Sequence, residues 1–505
     1  MAKMHRRYFL RGVLAAGAAT VAVPGWGFGR VLGANDRIRV AIAGLNGRGG
    51  AHLDELFGRT GVEVAWLVDP DKAVLAGAIK GLEGRQRKAQ EKRKKKAKDG
   101  KEPEPEAAET APLPQTVQDV RKVLEDKSID CLTIATPNHW HSLMTIWACQ
   151  AGKHVYVEKP CSHDVFEGRT AVAASRKYTV IVQHGTQQRC ERGRARLMKA
   201  IHDGQFGKLI VSHGYCCKPR DSIGKIDGPQ PIPPTIDYDL WCGPGPKGPL
   251  MRRQLHYDWH WFWDYGNGDI GNQGVHEMDV ARWAFKDKVL PRRVMSLGGR
   301  FGWDDNGETP NSQLAILDFG DGQYVFFTVR NLNYEGYKRE VKNDFYFEDC
   351  RIVDGKLYRK GKSEPESFST PDVKITEGGA FGSFIAAVRA GKREMCNADI
   401  LEGHYSSALG HIANVPYRLG EKVPFDEKAG KFGDNKAAYE AFMSLHAILK
   451  DGCKLPVDKT QYTVGPWLSF DPRTERFVGE RAEEANKLLL PAYRKGFEVP
   501  APDAV

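Results

Sequence analysis

No paired-cysteine pattern, no long apolar run and no broad excess of charge marks this chain of 505 residues. Its ten cysteines are scattered, with one adjacent pair at Cys216 and Cys217 and no Cys-x-x-Cys. That spacing supports neither a zinc knuckle nor a disulfide framework, so the thiols read mostly as core residues. No apolar run reaches the roughly 18 residues that a membrane-spanning helix needs. The formal charge of +10 invites a nucleic-acid reading until it is located. Residues 1–34 contribute +5 and residues 80–109 contribute +4, which leaves about +1 for everything else. A phosphate-binding surface would have to lie within 80–109 alone, and no nucleic-acid partner is expected.

Residues 1–34 carry two adjacent arginines, Arg6 and Arg7, then Phe9 and Leu10, then a small-residue apolar run that basic residues and no acid precede. This resembles a twin-arginine export signal, with Leu32–Ala34 as a candidate cleavage site. The mature chain is expected in the periplasm or otherwise exported by that route, with no membrane span once the signal is removed. Proteins on this route cross the membrane already folded.

Between residues 36 and 160, short β-branched runs alternate with helical patterns. The runs are "IRVAIAG", "VEVAWLVD", "DCLTIAT" and "HVYVEKP". Such alternation indicates a doubly wound parallel sheet. A charged segment, 80–114, interrupts it and reads as a surface helix followed by a loop. From 161 to about 465 the pattern becomes α+β, with hairpin turns at "FGDG" and "DCRIVDGKL" and helices expected over 274–285, 380–391 and 398–420. The sheet there is expected to be largely antiparallel. Residues 466–505 read as a wrapping tail.

The stretch "RIRVAIAGLNGRGGAHLDEL" is a strand, a glycine-rich turn and a helix. Gly44 lets the chain turn, and Gly49 lets the helix approach the sheet. The helix N-terminus offers N–H groups to a pyrophosphate. Asn46 stands where the middle glycine of G-x-G-x-x-G would be, with Gly47 beside it, and Asn tolerates positive φ better than most residues. Asp69 ends the next strand, where a carboxylate would hold ribose hydroxyls and repel a 2′-phosphate. This favours NAD, with NADP as the alternative that Arg48 would serve. A later strand ends at Thr136, Pro137 and Asn138, followed by His139 and His141, at the sheet edge where ligands bind. His-x-His could suggest a metal, but no third ligand has fitting local spacing, and no metal is expected.

A further strand ends in Glu158-Lys159-Pro160. Together with "TPNHWH" before it and "GVHEMD" far downstream, this resembles the Gfo/Idh/MocA oxidoreductases over most of residues 36–420. The resemblance implies a Rossmann domain, then an α/β domain with an open sheet whose exposed face pairs subunits into a dimer or tetramer. It implies that Lys159 lies near nicotinamide and substrate, that Glu158 orients the nicotinamide end, and that Pro160 sets the turn. His276 matches the family's histidine, while Asn272 replaces the aspartate usual four residues earlier. Asn cannot act as a base, so proton transfer would rest on His276, Lys159 or a neighbour such as Asp269 or Tyr265.

The stretch "HYDWHWFWDYGNGD" offers aromatic faces for a sugar ring, with Trp261, Tyr265, Asp269, Asn272 and His276 as candidate substrate contacts; a core or interface cluster is the other reading. The expected activity is oxidation of a sugar or cyclic polyol by a tightly held nicotinamide. The alternatives are redox-neutral glycoside cleavage through transient oxidation at C3, and sugar binding without catalysis.

Overall fold

The computed structural model describes residues 37–98, 104, 106–490 and 492–505. The twin-arginine stretch and the candidate cleavage site lie outside them. Strand β1 (Ile38–Ala43) is buried along almost its whole length, which is what a central parallel strand covered on both faces requires. It is joined by β2 (Val62–Val68), β3 (Gln115–Val117), β4 (Cys131–Ile134), β5 (His154–Val157) and β6 (Val182–His184). The order is β3-β2-β1-β4-β5-β6, and every pair is parallel. The chain winds outward from β1 to β3, then crosses back to place β4 beside β1. The crevice of the sheet therefore opens at the carboxyl ends of β1 and β4. The sixth strand lies beyond residue 160, so the parallel sheet continues past the boundary expected from the strand pattern.

Helix α1 (Arg48–Leu56) follows β1, and helix α2 (Lys72–Lys98) follows β2. Leu75 and Leu82 bury the first turns of α2. Residues 80–98 of the charged segment are the outward part of this same helix, where Arg93 pairs with Glu109 and Lys92 with Glu106. Helices α3 (Asn138–Gln150) and α4 (Val165–Lys177) pack on each other beside β5.

The second sheet has eleven strands. Its long members are β7 (Leu209–Cys217), β8 (Arg293–Gly299), β9 (Ser312–Asp318), β10 (Tyr324–Arg330) and β11 (Glu340–Phe347), in the order β11-β7-β10-β9-β8. β7 and β10 are parallel, while the other pairs are antiparallel, with the expected turn at Gly320–Gly322 joining β9 to β10. One face packs on α5 (Gly274–Trp283) and α6 (Ile400–Arg418), burying Phe327, Met278 and Leu409. The opposite face, expected to await another subunit, is partly covered from within the chain. Phe425, Phe442 on helix α7 (Lys436–Ala447) and Leu449 close over Leu297, Ile316 and Phe326. Each such side chain contributes roughly 1.5–3 kcal/mol of burial.

The tail returns to the first domain. Phe497, Val499 and Val505 join its core, and the Phe497 ring meets Trp140 edge-on at 5.6 Å.

Candidate active site

The carboxyl ends of β1, β2, β4 and β5 converge on one cavity of about 340 Å³. The first wall is the glycine turn. A Cβ at Gly49 would lie 1.8 Å from the Gly44 carbonyl oxygen, and one at Gly44, where φ is +79°, would lie 2.6 Å from the Thr136 nitrogen. Any side chain at either position would separate α1 from the sheet or the turn from β4. Asp69 then fixes the turn. Its carboxylate accepts from the Leu45 N–H at 2.9 Å and from the Asp71 N–H at 3.0 Å, and burial raises its pKa. Gly44, Asn46, Gly47, Arg48, Asp69, Thr136, Pro137, Asn138, His141, Glu158 and Lys159 all line the cavity, as expected for the nucleotide end; Gly49 sits behind, in its packing role.

The Glu158-Lys159-Pro160 turn is the most constrained part. Glu158 accepts from Arg48 Nε at 2.7 Å and lies 3.2 Å from His52 Nε2. Burial alone would raise its pKa. The His52 hydrogen bond and the charges of Arg48 and Lys159 outweigh burial and hold the carboxyl well below the usual carboxylate range. Lys159 Nζ donates to both the backbone oxygen and Oδ1 of Asn272, each at 3.1 Å. Burial lowers the lysine's pKa, against the opposing charges of Glu158 and Asp269. An aspartate at 272 would have given the ammonium a counter-ion; the asparagine directs the amine without charging its surroundings. His141 braces this turn to β4, with one ring nitrogen facing the Pro160 carbonyl and the other 2.7 Å from the Thr136 carbonyl. His139 faces the Trp241 carbonyl at 3.0 Å. Both imidazoles of the His-x-His pair thus point at backbone oxygens.

The second domain supplies the other wall and a cover. After β7 the chain leaves the sheet and crosses the first domain beside the end of β2. Lys72 N–H donates to the Thr235 carbonyl at 3.0 Å, Asp237 N–H to the Pro70 carbonyl at 2.9 Å, and His256 Nε2 lies 3.0 Å from Asp71 Oδ2. Trp140 Nε1 donates to the Leu240 carbonyl at 2.9 Å. Residues 235–256 therefore form a strap hydrogen-bonded next to Asp69, and Trp241, His256, Tyr257 and His260 line the same cavity as the glycine turn.

The predicted substrate contacts divide. Asn272 lines the cavity. His276 stands on the first turns of α5, half-buried within electrostatic reach of Lys159; burial, then the lysine charge, push its pKa down to about 3, so it is neutral. The remaining three are engaged elsewhere. Trp261 is buried under the Arg220 guanidinium. Tyr265 packs against Trp241 and donates to the Pro246 carbonyl at 2.6 Å. Asp269 takes Arg220 in a two-point ion pair at 2.8 and 2.9 Å and accepts from Asn331 at 2.6 Å. Sequence reasoning missed Lys218 and Arg220, which line the cavity just beyond the carboxyl end of β7, and Glu277, a buried carboxyl beside Lys159 whose pKa burial raises to about 7. Strand-end position was the available signal for the first two.

A second cavity of about 300 Å³ lies behind the first. Asn138 lines the front one and Asn267 the rear one, and the two side chains meet at 3.4 Å. The rear wall includes Asp164, Glu167 and Tyr493.

Two sequence profiles match the chain. Residues 38–186 match "Oxidoreductase family, NAD-binding Rossmann fold", and residues 213–446 match "Oxidoreductase family, C-terminal alpha/beta domain". Levoglucosan dehydrogenase of Pseudarthrobacter phenanthrenivorans is 30% identical over 224 residues, 42% of this chain and 50% of that protein. Glycosyl hydrolase family 109 protein 1 of Shewanella sp. (strain MR-4) is 26% identical over 257 residues, 45% of this chain and 49% of that protein. The chain thus spans about half the length of these curated relatives. The crystal structure of an NAD-binding protein from Listeria innocua shares the fold with a TM-score of 0.51 and 15% identity, covering 75% of this chain and 94% of that one.

Proposed function

The chain belongs to the Gfo/Idh/MocA oxidoreductase family, and we propose that it is an exported NAD-dependent oxidoreductase acting on a CH–OH group of a sugar or cyclic polyol. The observation that carries this reading is the Lys159 amine, half-buried at the end of β5, aimed by Asn272 and opening on the same cavity as the glycine turn. The lining suits a dinucleotide, because the glycine turn brings the N-terminus of α1 to the cavity and Asp69 keeps lone pairs free for ribose hydroxyls. Arg48, the cation that would suit a 2′-phosphate, is committed to Glu158, which favours NAD.

NAD seated there would supply the hydride acceptor. Lys159 accepts the proton of the reacting hydroxyl, since burial favours its neutral amine and Asn272 withholds a counter-charge. Glu158 stays ionised, ties α1 to the β5 turn and partly offsets the lysine's own charge. His276, neutral, offers a ring nitrogen to a neighbouring hydroxyl. The strap keeps water from the cleft and holds the nucleotide against exchange, which suits a protein loaded before export, where no free NAD pool is expected.

The glycosyl hydrolase name of the Shewanella relative favours a second reading. In it, transient oxidation of a glycoside acidifies the adjacent C–H, the aglycone is eliminated, water adds, and the hydride returns.

The test is to denature purified mature protein, identify the released nucleotide, and screen sugars, polyols and aryl glycosides. NADH formation supports the oxidoreductase, and aglycone release without net NADH supports the second reading. Protein that holds no nicotinamide and turns over neither class rules out both.

A further inference from the structure

The wall that the second domain contributes to the cleft carries two cations, Lys218 and Arg220, and no carboxylate. The histidines there do not add charge: His260, like His276, is pushed by burial down to about 4 or below and is neutral. Arg220 is neutralised from behind by Asp269, and its remaining nitrogen, Nη1, reaches the exposed Tyr257 hydroxyl at 2.9 Å. Lys218 has no such partner. Among the described residues its ammonium makes no ion pair or hydrogen bond, although it lines the cleft and is half-buried. It also sits at the reacting end. Asp269 is an electrostatic neighbour of Lys218, Lys159 and Arg220 alike, whereas Asp69, which marks the ribose end, is bonded to the glycine turn at Leu45 and is no such neighbour.

An uncompensated ammonium in a half-buried site is costly unless something negative arrives with the ligand. A neutral polyol needs hydroxyl partners, which Asn272, His260 and Tyr257 already provide, and it gains little from a bare cation. We propose that the substrate is a sugar acid, its carboxylate seated on Lys218 with the Tyr257 hydroxyl and Arg220 as second donors, while the hydroxyl to be oxidised lies on Lys159. This rests on the oxidoreductase reading and names the substrate class for the same site.

The test uses nucleotide-loaded protein and calorimetric titration with glucuronate, galacturonate and gluconate, each beside its neutral counterpart, and with glucose 6-phosphate. At least one acid should bind about tenfold or more tightly than its neutral counterpart, the usual worth of a charge-assisted contact. Lys218→Met should erase that preference with little change for neutral sugars, and Lys218→Arg should restore most of it, both with unchanged melting temperature and nucleotide content. The proposal is overturned if no acid outbinds its neutral counterpart, if the phosphate alone is preferred, or if Lys218→Met keeps the preference. Following nicotinamide absorbance in the same samples separates the two ideas. Selective acid binding without reduction would leave the anion site standing and remove the oxidoreductase.

Discussion

Glu158, just after β5, and the Asp164–Glu167 pair, at the start of α4, lie within ten residues of one another, all buried, and line different cavities. Burial pushes all three toward the neutral acid. In front, Arg48, His52 and Lys159 surround Glu158, and the carboxyl is driven the other way, to a lasting negative charge. Behind, Asp164 rises to about 7, with burial as the main cause, and Glu167 rises further, by burial and by the charge of Asp164. Tyr493 of the tail adds a hydroxyl 3.4 Å from Glu167, but no cation. The end of β5 thus carries a fixed anion on the front cavity, and the start of α4 a proton-holding pair on the rear one. The difference lies in the company each carboxyl keeps, since depth is the same.

The sharpest way to break the contrast is at the amine. Lys159→Met removes both the proposed proton acceptor and part of what holds Glu158 ionised. Turnover should fall by about 10²–10⁴-fold, the range for loss of a general base, with bound nucleotide retained. Single-turnover reduction of the loaded protein checks it. Wild-type-like rates would remove Lys159 from the chemistry.

Next in size is Asn272→Asp, which supplies the missing counter-ion. A carboxylate at this distance raises a lysine by about 1–3 pKa units. The neutral amine becomes scarcer at neutral pH, so the rising limb of the kcat/KM–pH profile should move to higher pH by about that much. An unmoved limb would mean that another group sets it.

The smallest effect belongs to the rear cavity. Asp164 titrates near 7 in the fold against an ordinary value of 3.8, so its contribution to stability is fully present below about pH 4 and is lost as pH rises through about 7. Glu158 has the opposite sign, losing its contribution only on acidification. Each of the two acids, ionised when unfolded and protonated in the fold, should therefore cost wild-type protein up to about 1.4 kcal/mol per pH unit between its ordinary and its folded pKa, a window that for Asp164 runs from 3.8 to about 7. Glu167→Gln, which presents an amide donor to Asp164, should flatten that loss. Melting curves from about pH 5 to 9 decide it, and equal slopes in the two proteins would dissolve the pair.

The front of the site was legible in the sequence for a simple reason. Gly44, Asp69, Thr136 and Glu158 each close a strand of one parallel sheet, so recognising the strands places their ends together. The aromatic stretch was not legible in the same way. Composition shows that rings will bury, but not which way they face. Trp261 turned under the Arg220 guanidinium, Tyr265 into the packing beneath the strap, and Asp269 became the anchor of Arg220. Lys218 and Arg220 lie far from Lys159 in the chain, and only the docking of the second sheet brings them to the cleft. The long α2 was half-visible, because its charged end looks like a solvated arm while its rooted end, at Leu75 and Leu82, reads as ordinary helix.

The strap at residues 235–256 bears on the order of events in each catalytic cycle. On the proposed reading, a nucleotide closed in beside Pro70 and Asp71 would not leave between turnovers and would have to be restored where it sits. The first product would then have to vacate the pocket before a second molecule entered to take the electrons back. Initial-rate plots for two such substrates should then give parallel lines, with a single pocket accepting both the reductant and the oxidant in turn.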